Sequence, residues 1–361
     1  MLADHGPEEL AALARQGDPD DTHLRAEIAR HLERGAPWLA YVDALVDAAY
    51  SPAAALARMS ARAHRAQRAH GSAGDLGGRA RDLAVALVHG LVGGAERPAL
   101  RIEPGIDAAL FDAILQPFDG DADVEIPGSD QARALRRRSM CAGVPVGLGP
   151  GDASVVAVAR YPLTPGEGVE AILAAVDEFT LGLGSDESAV VIAPARCLVD
   201  ALPAALSAVR AETLRTGRVR AIVRLRPGLV TTASREALAL WVCGPHADIP
   251  LGDRVIALAD LTEVELTRAA VTDLVSDILA NLGGPGQARA HAFRFARLQR
   301  TSSVLARPGA LVKDAAPRRM REVPASGDLS AQLDAAIQAA SRGRPRARAD
   351  AASRGRSSRA P

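Results

Sequence analysis

The stretch VVAVARYPLTPG (155–166) runs from apolar residues into Arg160, Tyr161 and Pro162. The apolar half predicts a buried strand, and the second half predicts the loop that leaves it. Ligands of open α/β sheets bind outside the carboxyl ends of the strands, so this loop is a candidate site. The guanidinium of Arg160 supplies hydrogen-bond donors and no acceptor. Arg160 could therefore take part in chemistry here only as a hydrogen-bond donor.

Other patterns that carry catalysis or metal binding are missing from the sequence. No G-x-S-x-G occurs, and the glycine-rich stretches 90–98 and 147–152 lack the G-K-[ST] ending of a phosphate loop. The three cysteines have no spacing typical of a metal site or a disulfide framework: Cys141, Cys197 and Cys243. The sequence therefore predicts no metal site and a reducing, cytoplasmic setting.

Positive charge is concentrated in the last quarter of a chain whose net charge is zero. The zero balance argues against a protein that coats nucleic acid uniformly. Residues 342–361 contain seven arginines in a low-complexity, predicted disordered tail, which should bind polyanions in a salt-dependent way. DNA or RNA is the obvious partner, and an acidic protein surface would also serve. The candidate nucleic-acid contacts in this tail are Arg344, Arg346 and Arg348.

A second basic stretch, ARAHAFRFARLQR (288–300), interleaves Arg294, Arg297 and Arg300 with two phenylalanines and His291. Such interleaving can contact nucleic acid by charge and stacking. It is equally typical of a basic segment whose arginines cover the edge of a domain with the aliphatic part of their side chains. Both interpretations stay open.

The first 95 residues predict an acidic start followed by helices. Residues 1–21 contain six acids and one arginine, which predicts a disordered acidic segment. Residues 22–95 show helical periodicity, with Leu24, Ile28 and Leu32 four apart. The N-terminus lacks a basic-then-apolar signal, and no apolar run approaches the ~18 residues of a membrane span. We expect no membrane association.

From Pro98 onward, short apolar runs alternate with helical stretches, which predicts βαβ units and a mostly parallel sheet. Residues 219–228 and 236–244 are two strands with no helix between them, so they should pair antiparallel at one end of the sheet. The predicted domain covers 96–310. A linker with a short helix follows at 311–341, and the disordered tail occupies 342–361. The predicted strands lie at 99–103, 122–126, 144–148, 154–159, 188–194, 219–228, 236–244 and 254–261.

This order resembles the seven-stranded Rossmann-like fold of S-adenosylmethionine-dependent methyltransferases, in which the last strand is antiparallel. The motif positions resemble, more narrowly, the N6-adenine DNA methylases of restriction-modification systems. The resemblance covers roughly 85–310 and implies the strand order 3-2-1-4-5-7-6. It also implies S-adenosylmethionine as cofactor and DNA as substrate.

The first motif of that family reads approximately D-P-x-x-G-[ST]-G and holds the cofactor. Here the same place reads EPGIDAA (103–109), so Glu103 matches in kind and Gly105 comes early. The motif glycines fall on Asp107 and Ala109. A glycine-rich turn lets the backbone approach a cofactor, whereas Ala109 adds a Cβ and Asp107 adds a charge near a methionine carboxylate. The resemblance therefore implies a weakened cofactor site.

Two acidic positions are implied by the second and third motifs of the family. Glu125 lies at the end of the second predicted strand, where an acid binds ribose hydroxyls. A register slip of one residue would put Ile126 there instead. Asp152, in a connection that looks shortened, resembles the acid that contacts adenine.

The fourth, catalytic motif reads [ND]-P-P-[YFW] and presents acceptors to the amino group that is methylated. Its aromatic residue stacks on a flipped-out base. The aligned residues here are Arg160, Tyr161, Pro162 and Leu163, of which Pro162 alone is retained. Arg160 cannot accept from an amino group, and Leu163 has no aromatic face.

The resemblance continues beyond the fourth motif in SAVVIAP, RAETLRTGRVRAIVRLRPG and ALALWVCG, which carry packing and turn geometry. We therefore expect a methyltransferase-like protein with degenerate motifs that acts in DNA or partner binding and not in methyl transfer. Two alternatives are an active methyltransferase with divergent motifs and an unrelated α/β scaffold with a basic tail. The strand order separates the last from the others.

Overall fold

The computed structural model of the chain describes most of residues 5–315. The described ranges are 5–19, 21–33, 37–68, 74–95, 97–118, 121–129, 132–144, 146, 154–164, 166–231, 235–245, 249–250, 252–307, 309–312 and 315. Asp152, the predicted helix at 328–341 and the arginine-rich tail lie outside these residues. The predictions made for them stay predictions.

Five helices precede the first strand: α1 (Pro7–Gly17), α2 (Thr22–Glu33), α3 (Pro37–Ala49), α4 (Pro52–Arg68) and α5 (Gly78–Val92). The helices that follow are α6 (Ala108–Leu115), α7 (Arg133–Cys141), α8 (Val169–Leu181), α9 (Ala195–Leu198), α10 (Ala204–Arg215), α11 (Arg268–Leu282), α12 (Pro285–Ala290) and α13 (Thr301–Leu305). A short 3₁₀ turn, Gln116–Phe118, extends α6.

The strands form one eight-stranded sheet in the order β2-β1-β3-β4-β6-β5-β7-β8. Their bounds are β1 (Ala99–Ile102), β2 (Asp123–Glu125), β3 (Val155–Arg160), β4 (Ser188–Pro194), β5 (Val219–Pro227), β6 (Ala237–Cys243), β7 (Val255–Leu261) and β8 (Arg297–Arg300). Strands β2, β1, β3 and β4 are mutually parallel, whereas β6 is antiparallel to both of its neighbours.

The predicted strand order is confirmed. Val146, in the predicted third strand, forms a single parallel bridge to Val124 of β2. If Val146 is counted as the third strand, then β3, β4, β5 and β6 are the fourth to seventh strands of the prediction. The first seven strands then follow the order 3-2-1-4-5-7-6, and the seventh, β6, is antiparallel to its neighbours. An unrelated scaffold would not be expected to give this order.

The predicted position of the antiparallel pair at one end of the sheet is wrong. β7 pairs in parallel with β5, and β8 pairs antiparallel with β7, so two strands continue the sheet beyond the pair. The strand at 254–261, which corresponds to β7, was predicted, but its position in the sheet was not. β8 was not expected, because its residues RLQR show no apolar alternation.

Two apolar layers cover the faces of the sheet. On one face, Leu100, Ile102 and Val158 belong to a buried cluster with residues of α5, α6 and α11. On the other face, Ala159, Val191 and Trp241 form a second cluster with residues of α8 and α9. Burial on both faces explains the nearly continuous apolar runs of β3 and β4.

The acidic start of the chain is ordered over much of its length, which corrects the expectation of disorder for residues 1–21. Residues Pro7–Gly17 form α1. Asp18 accepts a hydrogen bond from the guanidinium Nε of Arg136 at 2.8 Å, and Asp21 accepts one from Arg137 at 2.7 Å. The side chains of Asp18 and Arg136 are 2% and 5% exposed. Asp18 and Asp21 are therefore neutralised by arginines of α7.

No helix among the described residues is both long and apolar enough to span a bilayer.

Candidate functional site

The sheet reverses its strand order between β1 and β3, so the loops after these strands diverge around a switch point. This is the place where open α/β sheets bind ligands. Arg160 ends β3 there, and its Nη1 lies 3.1 Å from Oδ2 of Asp107. Its Nη2 donates to the carbonyl oxygen of Gly74. Burial lowers the pKa of Arg160, while the charges of Asp107 and Asp75 oppose that shift.

Asp107 belongs to the loop after β1 and is the N-cap of α6. Its Oδ1 accepts from the backbone N–H of Leu110 at 2.8 Å, as expected for a capping aspartate. Its Oδ2 accepts from the backbone N–H of Leu76 at 3.2 Å, in addition to its ion pair with Arg160. The carboxylate is thus fully engaged by protein groups. We call Gly74, Leu76, Asp107 and Arg160 the switch-point cluster.

Gly105 brings the two loops into direct contact. Its φ of +91° is left-handed, a conformation that favours glycine. A Cβ at Gly105 would lie 2.1 Å from the carbonyl oxygen of Arg160 and 3.0 Å from a methyl carbon of Leu163. The space beside Gly105, where another residue would have a Cβ, is therefore occupied by the carbonyl group of Arg160 and the side chain of Leu163.

Tyr161 points into the core. It is 7% exposed and belongs to the apolar cluster under α8. Its hydroxyl donates to the carbonyl oxygen of Ala175 at 3.3 Å. Burial raises the pKa of Tyr161, and the negative charges of Glu103, Glu178 and Glu167 raise it further. A ring held in this way cannot stack on a base.

The loop that follows Tyr161 is closed by its own hydrogen bonds. The peptide bond between Tyr161 and Pro162 is cis. The backbone N–H of Leu163 and that of Thr164 each donate to the carboxylate of Glu167 at 3.1 Å. Leu163 is half-buried and packs at the margin of the cluster that contains Tyr161.

Glu103 and Glu125 lie on one face of neighbouring strands, but their surroundings are charged. Nε of Arg101 is 3.6 Å from Glu103, and Nη2 of Arg101 is 2.9 Å from Glu187. Burial raises the pKa of Glu103; Arg101 lowers it and Glu125 raises it. The register leaves Glu125 half-exposed and Ile126 in the core, so Glu125 is the acid available at this strand end.

The arginines of the second basic stretch are exposed but do not share one face. Arg297 and Arg300 are three residues apart in β8, so their side chains point to opposite faces of the strand. Arg294 pairs with Asp273 at 2.8 Å. Buried Asp277 fixes this stretch, because it accepts from the N–H groups of residues 294, 295 and 296 and hydrogen-bonds His291.

No local sequence pattern indicated one part of this candidate site, residues 74–77. Gly74 and Leu76 lie before α5, far from the strand ends in sequence. The N–H of Gly77 donates to the carbonyl oxygen of Leu229 at 2.7 Å, and Leu76 forms an antiparallel bridge to Val230. Residues 74–77 therefore cross the carboxyl edge of the sheet and hold the cluster in place.

The residues at the positions that resemble the first and fourth motifs differ from the chemistry that the resemblance implies for S-adenosylmethionine. The carbonyl group of Arg160 lies against the backbone of Gly105. Asp107 occupies the position at which the motif has a glycine. The position that resembles the fourth motif has a buried tyrosine and a paired guanidinium, whereas the motif has an acceptor and a free aromatic face.

No family model and no curated protein matches the chain. Solved structures that are similar include the methyltransferase subunit of a type I restriction-modification system from Streptococcus thermophilus. It is 12% identical, with a TM-score of 0.43, over 65% of this chain and 57% of that protein. The chain thus spans less than two thirds of that protein's length.

Two further structures are similar at the same level. The M protein of the type I restriction enzyme EcoKI is 13% identical, with a TM-score of 0.41, over 73% of each chain. A putative class I S-adenosylmethionine-dependent methyltransferase from Listeria monocytogenes is 14% identical, with a TM-score of 0.40, over 58% of this chain and 72% of that one.

Proposed function

We propose that this chain is a non-catalytic protein of the methyltransferase fold that binds DNA. One observation supports the loss of methyl transfer above others. At the switch point Arg160 forms an ion pair with Asp107, with 3.1 Å between Nη1 and Oδ2, and the two side chains are hydrogen-bonded to Gly74 and Leu76 of the segment that crosses the sheet edge. A side chain that fills a ligand's place competes with that ligand directly.

The chemistry at the fourth motif supports the same proposal. Transfer to an adenine amino group needs an acceptor for its N–H and a pocket that holds the flipped base. Arg160 is a donor, and Tyr161 is buried under α8. Neither side chain can take these roles without leaving its present partners.

The proposal predicts that the full chain does not bind S-adenosylmethionine. Isothermal titration at 25 °C should give no saturable heat at cofactor concentrations up to the millimolar range. An active methylase measured in the same buffer is the positive control. Binding with a micromolar dissociation constant would overturn the proposal and favour an active enzyme with divergent motifs. Arg160→Ala is the matched variant, since any binding that it gains would identify Arg160 as the blocking group.

DNA binding is proposed to depend on the arginine-rich tail. Neutralising a phosphate of duplex DNA contributes a slope of about −0.9 to the plot of log K against log salt concentration. Removal of residues 342–361 deletes seven arginines and should reduce the slope by up to roughly six. The slopes of the full chain and of the chain without residues 342–361 are measured by fluorescence anisotropy on one duplex across a salt series. An unchanged slope would remove the tail from the proposed function.

A second comparison decides between the two interpretations of 288–300. In the tail-less chain, Arg297→Ala combined with Arg300→Ala should leave the remaining slope unchanged if the stretch only covers the sheet edge. A further reduction of about two would assign these arginines to the DNA interface.

A further inference from the structure

Helix α7 has three arginines at positions i, i+3 and i+4, which places them on one face of the helix. We call them the α7 arginines: Arg133, Arg136 and Arg137. Each of them pairs with a carboxylate from the first 33 residues of the chain, 106 to 118 positions away. We call these carboxylates the acidic triplet: Asp18, Asp21 and Glu27. A distant part of the chain therefore balances the positive face of α7.

Two of these contacts have the geometry in which arginine binds a phosphate. Asp18 accepts hydrogen bonds from Nε of Arg136 at 2.8 Å and from Nη2 of the same side chain. Asp21 accepts from Nε of Arg137 at 2.7 Å and from its Nη2 at 3.3 Å. Paired donation from a planar guanidinium suits carboxylates and phosphates alike. The acidic triplet therefore binds the α7 arginines in an arrangement that phosphate oxygens could replace.

The segment that carries the acidic triplet has no share in the two apolar clusters of the sheet. Among the residues that the structure describes, neither cluster includes a residue of α1 or α2. These two helices pack chiefly on each other. Ion pairs weaken when salt or a competing polyanion is added. Displacing the acidic triplet from α7 therefore need not open either apolar cluster.

The other elements packed on α7 would not replace the lost negative charge. Helix α4 contains no acidic residue, and its Arg58 and Arg62 are exposed. Asp112 of α6 is already paired with Arg138, the fourth arginine of α7. Without the acidic triplet, this side of the protein would therefore be strongly basic, which favours an anionic partner.

We propose that the α7 arginines are a phosphate-binding surface for DNA and that the acidic triplet is its intramolecular competitor. The inference rests on the DNA binding proposed above and gives that function a second contact surface. DNA is the fitting partner because its consecutive phosphates can replace several carboxylates at once. DNA bound to the arginine-rich tail would also present phosphates to α7 at a raised local concentration. The acidic triplet thus weakens DNA binding by the full chain.

Neutralising part of the acidic triplet in the full chain tests the proposal. Asp21→Asn combined with Glu27→Gln removes both carboxylates that pair with Arg137, and the asparagine keeps an oxygen for the N–H of Leu24. The plot of log K against log salt should steepen by about 0.9 if Arg137 alone gains a phosphate, and by about 1.8 if Arg133 gains one too. Fluorescence anisotropy on one duplex measures the slope.

The matched control is Glu8→Gln combined with Glu9→Gln. It removes the same charge from exposed positions of α1, so it should leave the slope unchanged. The gain in affinity of the Asp21→Asn, Glu27→Gln chain over this control should be about 3- to 12-fold larger at 50 mM than at 200 mM salt. Adding Arg137→Gln to that chain should remove about 0.9 of the added slope.

Circular dichroism shows whether each variant is folded. If Asp21→Asn unfolds the chain, Glu27→Gln alone, at a 35% exposed side chain, should still steepen the slope. A slope equal to that of the control would overturn the inference. A gain on poly-glutamate without one on duplex DNA would overturn the choice of DNA.

The outcome for the proposed function is read separately. A steeper slope in the Asp21→Asn, Glu27→Gln chain, together with no effect of removing residues 342–361, would support the α7 surface and reject the tail. Absence of duplex binding by every chain at 50 mM salt would overturn both.

Discussion

Replacing Arg136 with alanine is expected to lower the free energy of unfolding by about 3–5 kcal/mol. The substitution leaves Asp18, whose side chain is 2% exposed, as a buried carboxylate without its ion partner. It also removes the donor to the carbonyl oxygen of Ile126 at the end of β2. Urea denaturation at pH 7, followed by circular dichroism, measures the loss.

Two controls separate the cost of removing one member of the buried pair from the value of the pair. Arg97→Ala breaks an ion pair with Asp123 whose arginine side chain is 53% exposed, and should change the free energy of unfolding by less than about 1 kcal/mol. Asp18→Leu combined with Arg136→Met removes both charges and should be close to neutral, because apolar residues can replace a buried pair. A loss in Arg136→Ala no larger than that in Arg97→Ala would show that the N-terminal segment does not depend on this contact.

Arg160→Ala is expected to lower the free energy of unfolding by about 3 kcal/mol. Asp107 is 7% exposed at its side chain and would keep its two backbone donors but lose its counter-charge. Residues 74–77 would lose the bond from Arg160 to Gly74. The sign of the effect is informative, because residues that serve a ligand often destabilise the fold and their removal then stabilises it.

A double-mutant cycle with Asp107→Asn assigns this loss to the pair. The two substitutions should be non-additive by about 1–2 kcal/mol, since their side chains touch. Asp107→Asn keeps a capping oxygen for α6, so it should cost less than Arg160→Ala. A stabilising Arg160→Ala would contradict the structural role proposed for the switch-point cluster and favour a ligand site.

The sheet was predictable because its signals are local. Apolar runs of five to seven residues, separated by helical stretches, define β3, β4 and β6, and the missing helix between β5 and β6 defines the antiparallel strand. β8 was missed because an exposed edge strand needs no apolar alternation. The position of β8 depends on its pairing with β7 and on Asp277 of α11, which binds the backbone N–H groups just before β8.

The contacts among the candidate site residues could not be predicted from the sequence. Gly105 and Arg160 were identified from motif spacing, but their mutual contact depends on the path of two loops. The pairs Asp18–Arg136 and Asp107–Arg160 join residues separated by 118 and 53 positions, so no local pattern indicates them. The acidic start looked disordered because its partners are distant in sequence.

The contact at Gly105 has a consequence for protein engineering. Opening a crevice at this point would require Arg160 to leave, Asp107 to become glycine and the loop around Leu163 to move away. Asp107 also caps α6, and Arg160 also holds residues 74–77, so each change alone removes a stabilising contact before any ligand can bind. The substitutions are therefore strongly epistatic, and a selection that introduces them one at a time would have to cross several destabilised intermediates.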